Sequence, residues 1–136
     1  RTYQFDMNFY QPAMKYFEQV QKVGQVTGST HAMLAFTPEG KFLGGTEDVG
    51  RHVALDKLIG MRAMKKWGPV VVFLSSRASY EMVQKAAVTG IEILFAISAP
   101  TNRALRLAKE CDLTLSAFCR DNRANIYNAP ERLLNL

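Results

Sequence analysis

The sequence lacks the motifs that mark a zinc site, a phosphate-binding loop or a serine nucleophile. It contains two cysteines, Cys111 and Cys119, and no CxxC pair, so a zinc site has no support. It has no GxGxxG, GxxxxGK[ST] or GxSxG, and no HxE followed by PCxxC. These absences exclude the dinucleotide fingerprint, the Walker loop, the hydrolase elbow and the zinc-deaminase signature. They favour a binding domain over a self-sufficient catalyst.

Long apolar runs are also absent. No segment reaches the length needed to cross a bilayer, and the first residues are not a signal peptide. We therefore expect a cytoplasmic protein with no membrane partner. The 136 residues, of which 48% are hydrophobic, suffice for one compact domain and are few for two. The chain starts with arginine, so it can be a fragment of a longer protein.

The basic residues are not clustered, although the net charge is +5. The only adjacent basic pair is Lys65-Lys66, and acids alternate with bases along the chain. A nucleic-acid-binding stripe normally groups its cations, so we expect no nucleic-acid partner and favour a small phosphorylated ligand. The last third carries six basic residues, which are Arg103, Arg106, Lys109, Arg120, Arg123 and Arg132.

The first part of the chain predicts a helix and then a hairpin. Residues 1–10 are aperiodic, which fits either an edge strand or an incoming linker, and residues 12–24 have the apolar spacing of an amphipathic helix that ends at glycine. We assign residues 1–26 to an N-terminal linker and helix, whose apolar face is compatible with a homodimer. Residues 27–136 form the main domain and open with a β-hairpin.

Three continuous apolar runs predict the centre of a parallel sheet. Residues 70–74, 93–97 and 113–118 resemble strands buried on both faces, and helical patterns separate them. A last short strand covers residues 124–127. This alternation predicts an α/β fold of three layers with a mostly parallel sheet and helices on both faces.

Polar residues follow each predicted strand, and ligands bind at the carboxyl ends of strands in such sheets. Ser79 and Thr101 are suited to cap the helices that follow. Arg77 stands beside a helix N-terminus, where its charge opposes the helix dipole. An anion between them would relieve that conflict, so we predict a pocket for a phosphate-bearing ligand.

Residues 46–57 form the stretch richest in chemistry. Asp48 stands at the predicted N-cap of a helix over residues 49–67. Arg51 and His52 share a helix face with Leu55, which predicts that they line an internal pocket. Alternatively, Arg51 pairs with Glu47 or Asp48, and His52 is a hydrogen-bonded core histidine. The turn at residues 27–31 is equally open: it is a plain loop or an anion-binding turn with an imidazole.

Seven motifs recur in a characteristic order, at residues 27–32, 47–52, 54–57, 76–87, 98–101, 118–120 and 125–127. Together they resemble the motifs of the FdhD/NarQ family of formate dehydrogenase accessory proteins. The resemblance implies a cytidine-deaminase-like α/β fold without zinc. It also implies a sulfurtransferase role, in which a cytoplasmic sulfur carrier passes persulfide sulfur from a cysteine desulfurase to the cofactor of formate dehydrogenase. That cofactor is a molybdenum or tungsten bis-molybdopterin guanine dinucleotide, for which GDP would be a mimic.

The sequence departs from the family pattern in several places. The sulfur-carrying CxxC loop of the family lies ahead of this domain, and neither Cys111 nor Cys119 aligns with it. Ser29 stands where the family usually has glycine, and Val53 where it often has asparagine. The resemblance therefore implies the cofactor-binding part of the protein. A metal-free guanine-nucleotide-binding regulatory or interaction domain is the alternative.

The resemblance places a cofactor-binding segment at residues 118–123. Arginines and helix N-termini would hold phosphates, Asp48 would accept from guanine or cap the helix, and His31 and His52 would orient the ligand. No catalytic or metal-binding residue is assigned. The expected binding residues are Thr30, His31, Asp48, Arg51, His52, Ser76, Arg77, Ser98, Thr101, Phe118, Cys119, Arg120, Asp121, Asn122 and Arg123.

Overall fold

A computed structural model describes residues 3–20, 30–120 and 122–136. Short 3₁₀ turns at Met7–Phe9 and Pro130–Arg132 accompany the regular elements. In chain order, these elements are β1 (Phe5–Asp6), α1 (Tyr10–Val20), β2 (His31–Phe36), β3 (Phe42–Asp48), α2 (Arg51–Lys65), β4 (Val71–Leu74), α3 (Tyr80–Val88), β5 (Ile93–Ala96), α4 (Asn102–Glu110), β6 (Thr114–Arg120), β7 (Arg123–Asn128) and β8 (Leu133–Leu134).

The main sheet has six strands in the order β3-β2-β4-β5-β6-β7. Its centre is parallel, because β4, β5 and β6 are the three apolar runs and each connects to the next through a helix. The hairpin β2–β3 attaches antiparallel on one side, and β7 attaches antiparallel on the other. The sheet is therefore mixed around a parallel core, and the predicted α/β class is confirmed.

Helices cover both faces of this sheet, which confirms the three layers. On one face α2, α3 and α4 bury small and aliphatic side chains against alternate strand residues such as Val72 and Leu74. On the other face α1 packs over a cluster rich in aromatic rings. Phe73 and Phe95 stack there with ring centroids 4.6 Å apart. Alternation along each buried strand thus supplies two separate cores.

The N-terminal residues that the structure describes pack into this core. Phe5 is fully buried, and β1 pairs in parallel with β8, so the two ends of the described chain form a small second sheet. Helix α1 begins at Tyr10, two residues before the predicted start. The predicted helix end at residue 24 lies outside the described residues. No helix in the described ranges is long and apolar enough to cross a membrane.

Candidate functional site

One edge of the sheet gathers most of the predicted binding residues. Strand β2 runs antiparallel to β4, with Met33 opposite Leu74, so the start of β2 lies beside the end of β4. His31 opposes Asp48 at the end of β3. The carboxyl ends of β5 and β6 complete this edge, which we call the carboxyl edge. Its position is the one at which open α/β sheets bind ligands.

Hydrogen bonds between neighbouring loops make the carboxyl edge a continuous rim. The Ala32 amide donates to Ser75 Oγ over 2.7 Å, which joins β2 to the loop after β4. The Thr101 amide donates to the Ala78 carbonyl over 3.0 Å, and Ala78 forms an isolated parallel bridge with Pro100. The two loops that carry the helix starts are therefore fixed to each other.

Two helix N-termini open on this rim, and both predicted caps are confirmed. Ser79 Oγ accepts from the Met82 amide over 3.4 Å at the start of α3. Thr101 Oγ1 accepts from the Ala104 amide over 3.1 Å at the start of α4. Each cap satisfies one of the N–H groups that have no partner inside the helix. The remaining N–H groups and the helix dipole favour an anion at this place.

The arginines of the rim have no acidic partner among the residues described. Arg77 and Arg123 are exposed. Arg120 Nη1 donates to the carbonyls of Ile97 and Cys119, over 3.0 and 2.8 Å. These bonds fix the Arg120 guanidinium across the ends of β5 and β6. The rim therefore carries positive charge that ion pairing within the described chain does not neutralise.

An open depression of ≈ 530 Å³ lies beside this arginine. It is on the α1 side of the sheet, and its lining includes Met14, Ile97, Cys119, Arg120 and Asn122. Its walls combine an apolar floor with one guanidinium and one amide. Such a lining suits the flat, partly polar end of a larger ligand whose phosphates lie elsewhere on the rim.

Phe118 occupies an irregular place in β6 that the sequence did not reveal. Its φ is 52°, a left-handed conformation that costs a side chain with a Cβ about 1–2 kcal/mol. The ladder between β6 and β7 shifts register between Ala117 and Arg120. This bulge leaves Phe118 40% exposed and turns Cys119 inward, to 1% exposure. An aromatic side chain is thus presented at the site at some conformational cost.

Cys119 is a wall residue and not a ready nucleophile. Burial raises the pKa of its thiol to about 11, although a hydrogen bond with Tyr10 acts in the opposite direction. A thiol is nucleophilic only as the thiolate. The second cysteine, Cys111, is exposed at the end of α4, away from the carboxyl edge.

The prediction that Asp48 caps α2 is wrong. The N-cap is Gly50, and no side chain caps this helix. Asp48 is still part of β3, because its pairing with His31 extends the ladder to this point. Its carboxylate accepts from the Gly50 amide over 3.0 Å and from Lys57 Nζ over 2.7 Å. The Lys57 hydrogen bond, then that of Gly50, holds the Asp48 pKa below its usual value.

Arg51 and His52 do not line an internal pocket as predicted. Arg51 is exposed and His52 is half-buried, so neither side chain is enclosed in the interior. The alternative ion pair of Arg51 with Glu47 or Asp48 does not form within the described chain. His52 lies near Glu81, whose pKa is lowered mainly by its own backbone N–H and only slightly by that imidazole.

Some of the remaining predicted residues are buried or make structural contacts, and others are exposed to solvent. Ser76 is buried, and its hydroxyl faces Met82 Sδ over 3.7 Å, so it does not face a ligand. The Ser98 carbonyl accepts from the Phe118 amide over 3.3 Å and positions the bulge. Thr30 is buried beside His31, and Asn122 is exposed. Asp121 and the turn at residues 27–29 lie outside the described residues.

Sequence reasoning missed two features near the rim. Lys57 pairs with Asp48 from the second turn of α2, and no local spacing rule predicts a contact between a strand and a helix. Arg103 lies over the Tyr80 ring, 4.5 Å from its centroid, and joins the starts of α4 and α3. No three His, Cys, Asp or Glu side chains come together as metal ligands in the ranges given above.

Comparisons with known proteins agree with this architecture. The family model of the FdhD/NarQ family matches residues 1–134. A crystal structure described as that of a formate dehydrogenase accessory protein from Desulfotalea psychrophila superposes with a TM-score of 0.92 at 31% identity. The match covers 97% of this chain and 57% of that chain, so this chain spans little more than half the length of that solved relative. The chain belongs to the FdhD/NarQ family.

Proposed function

We propose that this chain is the cofactor-binding part of a formate dehydrogenase accessory protein. Its cargo is a molybdenum or tungsten bis-molybdopterin guanine dinucleotide, held at the carboxyl edge. The observation that carries the proposal is the set of arginines on the rim, Arg77, Arg120 and Arg123, which have no acidic partner in the described chain. Family membership and the resemblance to an accessory protein support it.

The phosphates of the cargo are the natural partners of this charge. One guanidinium group can donate two parallel hydrogen bonds to the oxygens of a phosphate. The starts of α3 and α4 add backbone N–H donors. Arg120 is already oriented by the Ile97 and Cys119 carbonyls, so little side-chain entropy is lost on binding. Within the described ranges no such bond holds the Arg77 guanidinium, which would close on the ligand.

The purine end of the cargo fits the other half of the rim. Asp48 is an acceptor for the N1–H and N2–H₂ groups of guanine, and its Lys57 contact keeps it ionised and oriented. At the opposite end of the rim, four strand spacings from Asp48, the exposed ring of Phe118 offers a stacking surface for a second base or for the pterin. His31 lies opposite Asp48 and can orient the same group.

In this proposal the described residues hold the cargo and do not carry sulfur. Cys119 has a buried, protonated thiol, and Cys111 lies away from the rim. The sulfur, delivered from a cysteine desulfurase in the cytoplasm, would travel on the CxxC loop of the family, which this sequence does not contain. Formate dehydrogenase would then receive the sulfurated cargo.

Calorimetric titration with GDP tests the phosphate assignment. Arg77→Ala should weaken GDP binding by about 1.5–3 kcal/mol, the usual cost of losing a charge-assisted hydrogen bond. The matched control is Lys65→Ala, which removes an equal charge at the far end of α2, about 20 Å along the helix from the rim. Equal affinity of Arg77→Ala and Lys65→Ala would contradict the assignment.

ATP and Asp48→Ala test the purine assignment in the same titration. We expect ATP to bind more weakly than GDP, because adenine presents an acceptor at N1 where guanine presents a donor. Asp48→Ala should lower GDP affinity and reduce the preference for GDP over ATP. A variant that keeps this preference would remove Asp48 from the site and leave the phosphate roles standing.

A further inference from the structure

Helix α4 presents a ridge of cations that the carboxyl edge does not use. Arg103, Arg106 and Lys109 follow one another at intervals of three residues, so they lie along one side of the helix. All three are exposed, while Ala104 and Ala108 are buried on the opposite side. Arg103 stacks on Tyr80. Arg106 and Lys109 have no acidic partner among the described residues.

Strand β7 lies directly beside this helix and forms one end of the main sheet. Asn128 Nδ2 donates to the Ala108 carbonyl over 3.0 Å, which fixes the end of the strand to α4. Both elements run away from the carboxyl edge. The outer edge of β7 has no strand partner in the part of the chain that the structure describes.

The side chains of β7 alternate, and one face is uncovered. Asn125 opposes Ala117, whose side chain lies in the core under α4. Asn125 therefore points to the α4 side, and both Asn125 and Tyr127 are exposed. Tyr127 is 42% exposed. We call Arg106, Lys109, Asn125, Tyr127 and the outer edge of β7 the α4–β7 surface.

We propose that the α4–β7 surface docks an acidic, extended segment of a partner protein, which adds to β7 as a further strand. An open edge offers backbone donors and acceptors at the spacing of a strand, and such edges are used for peptide recognition. Arg106 and Lys109, which face solvent on the side of α4 opposite the buried Ala104 and Ala108, add positive potential beside that edge and favour an acidic segment. Tyr127 supplies an amphipathic anchor of the type enriched in interfaces.

Other occupants fit this surface less well. A second copy pairing β7 with β7 would bring the Arg106 and Lys109 ridges of two molecules near each other, and like charges destabilise such a contact. A nucleic acid would satisfy the cations and leave the strand edge unused. The proposal goes beyond cargo binding, since it involves residues outside the rim, and it stands whether or not GDP binds.

Fluorescence anisotropy with synthetic probes tests this docking surface on the full chain. The probe is a labelled peptide of about eight residues in which Glu alternates with Val, the length of a common strand. We expect binding that weakens when salt rises from about 0.05 to about 0.5 M. Arg106→Glu with Lys109→Glu should weaken it at least tenfold, on the order of two reversed charge contacts. Hydrogen exchange should show new protection at residues 123–128.

Three control probes decide between occupants. A peptide with alternate backbone amides N-methylated keeps the carboxylates and loses strand pairing, so it should bind at least about tenfold more weakly. A charge-reversed Lys peptide should not bind. Any one of four results would overturn the proposal. The acidic peptide fails to bind, the N-methylated peptide binds equally well, a single-stranded oligonucleotide binds equally well, or the chain forms a dimer that the double variant dissociates. The GDP titration of the double variant should match that of the native chain, which separates this result from the cargo assignment.

Discussion

The Asp48 carboxylate lies 2.7 Å from the Lys57 ammonium and joins the end of β3 to the second turn of α2. The contact spans the junction at which the sheet passes into the helix layer. Both side chains are partly exposed, at 23% for Asp48 and 50% for Lys57, so the pair adds little to stability. Its effect is to fix the direction of an acceptor on the rim.

Removal of Lys57 should therefore change the titration of Asp48. Hydrogen bonds from Lys57 and Gly50 lower the pKa of Asp48 below its ordinary value of 3.8. They therefore stabilise the folded state above that pH, and this stability is lost as the pH falls through the lower pKa of the folded state. In Lys57→Met we expect the Asp48 pKa to rise towards 3.8, as followed by NMR of the side-chain carboxyl carbon. An identical pKa in the two proteins would show that Lys57 does not orient this carboxylate.

Local signals in the sequence predicted much of the fold. Ser79 and Thr101 cap helices because a hydroxyl one residue before a helix acts through its own neighbours. The apolar runs became central strands because continuous burial is a property of the run itself. Asp48 failed as a cap since its pairing with His31, seventeen positions earlier in the chain, keeps it in β3. That tertiary contact overrides the local preference.

The site itself was less predictable than the fold. Their positions after predicted strands placed Arg77 and Arg120 at one edge of the sheet, and the family resemblance added Phe118. The observed topology brings all three residues to that edge. Two features of the site depend on a bulge between β6 and β7. They are the left-handed φ of Phe118 and the hydrogen bond from Arg120 to the Ile97 carbonyl. Bulges arise from the pairing of segments that are distant in the sequence, so no local sequence pattern predicts them.

The buried thiol of Cys119 should resist alkylation. With a pKa of about 11, only about one thiol in a thousand is ionised at pH 8. Cys111 is exposed and should react much sooner with iodoacetamide. Mass spectrometry of Cys111→Ser should show almost no labelling until denaturant is added. Rapid labelling of this folded variant at Cys119 would mean that the wall of the depression opens to solvent.

Arg132, one of the basic residues in the last third of the sequence, is structural. It is 3% exposed, its Nε donates to Glu92 Oε1 over 3.0 Å, and its Nη1 donates to the Asp112 carbonyl. Arg132→Met should lower the free energy of unfolding by about 1–3 kcal/mol, because the partly buried Glu92 carboxylate and the Asp112 carbonyl lose their donor. Urea denaturation measures it, with Lys65→Met as the exposed control, expected to change by less than about 0.5 kcal/mol. Equal midpoints would contradict a structural role.

Phe118 allows stability and ligand binding to be separated at one position. Its left-handed backbone favours glycine, so Phe118→Gly should relieve about 1–2 kcal/mol of strain. The greater freedom of glycine in the unfolded chain offsets about 0.5–1 kcal/mol of that gain. Relative to Phe118→Ala, which also loses the ring, we expect Phe118→Gly to be more stable by up to about 1 kcal/mol in urea denaturation. Phe118→Ala keeps the strained φ and is the matched control, and a Gly variant less stable than the Ala variant would contradict this account.

The same two variants test the aromatic surface. Both remove the ring, so both should weaken GDP binding by about 1–3 kcal/mol if a base stacks there, regardless of their different stabilities. Calorimetry at equal protein concentration measures this loss. Because Phe118 belongs to neither hydrophobic core cluster, its removal leaves the core packing nearly unchanged. Native affinity in both variants would place the base elsewhere on the rim, and the strain at Phe118 would then serve only to turn Cys119 inward.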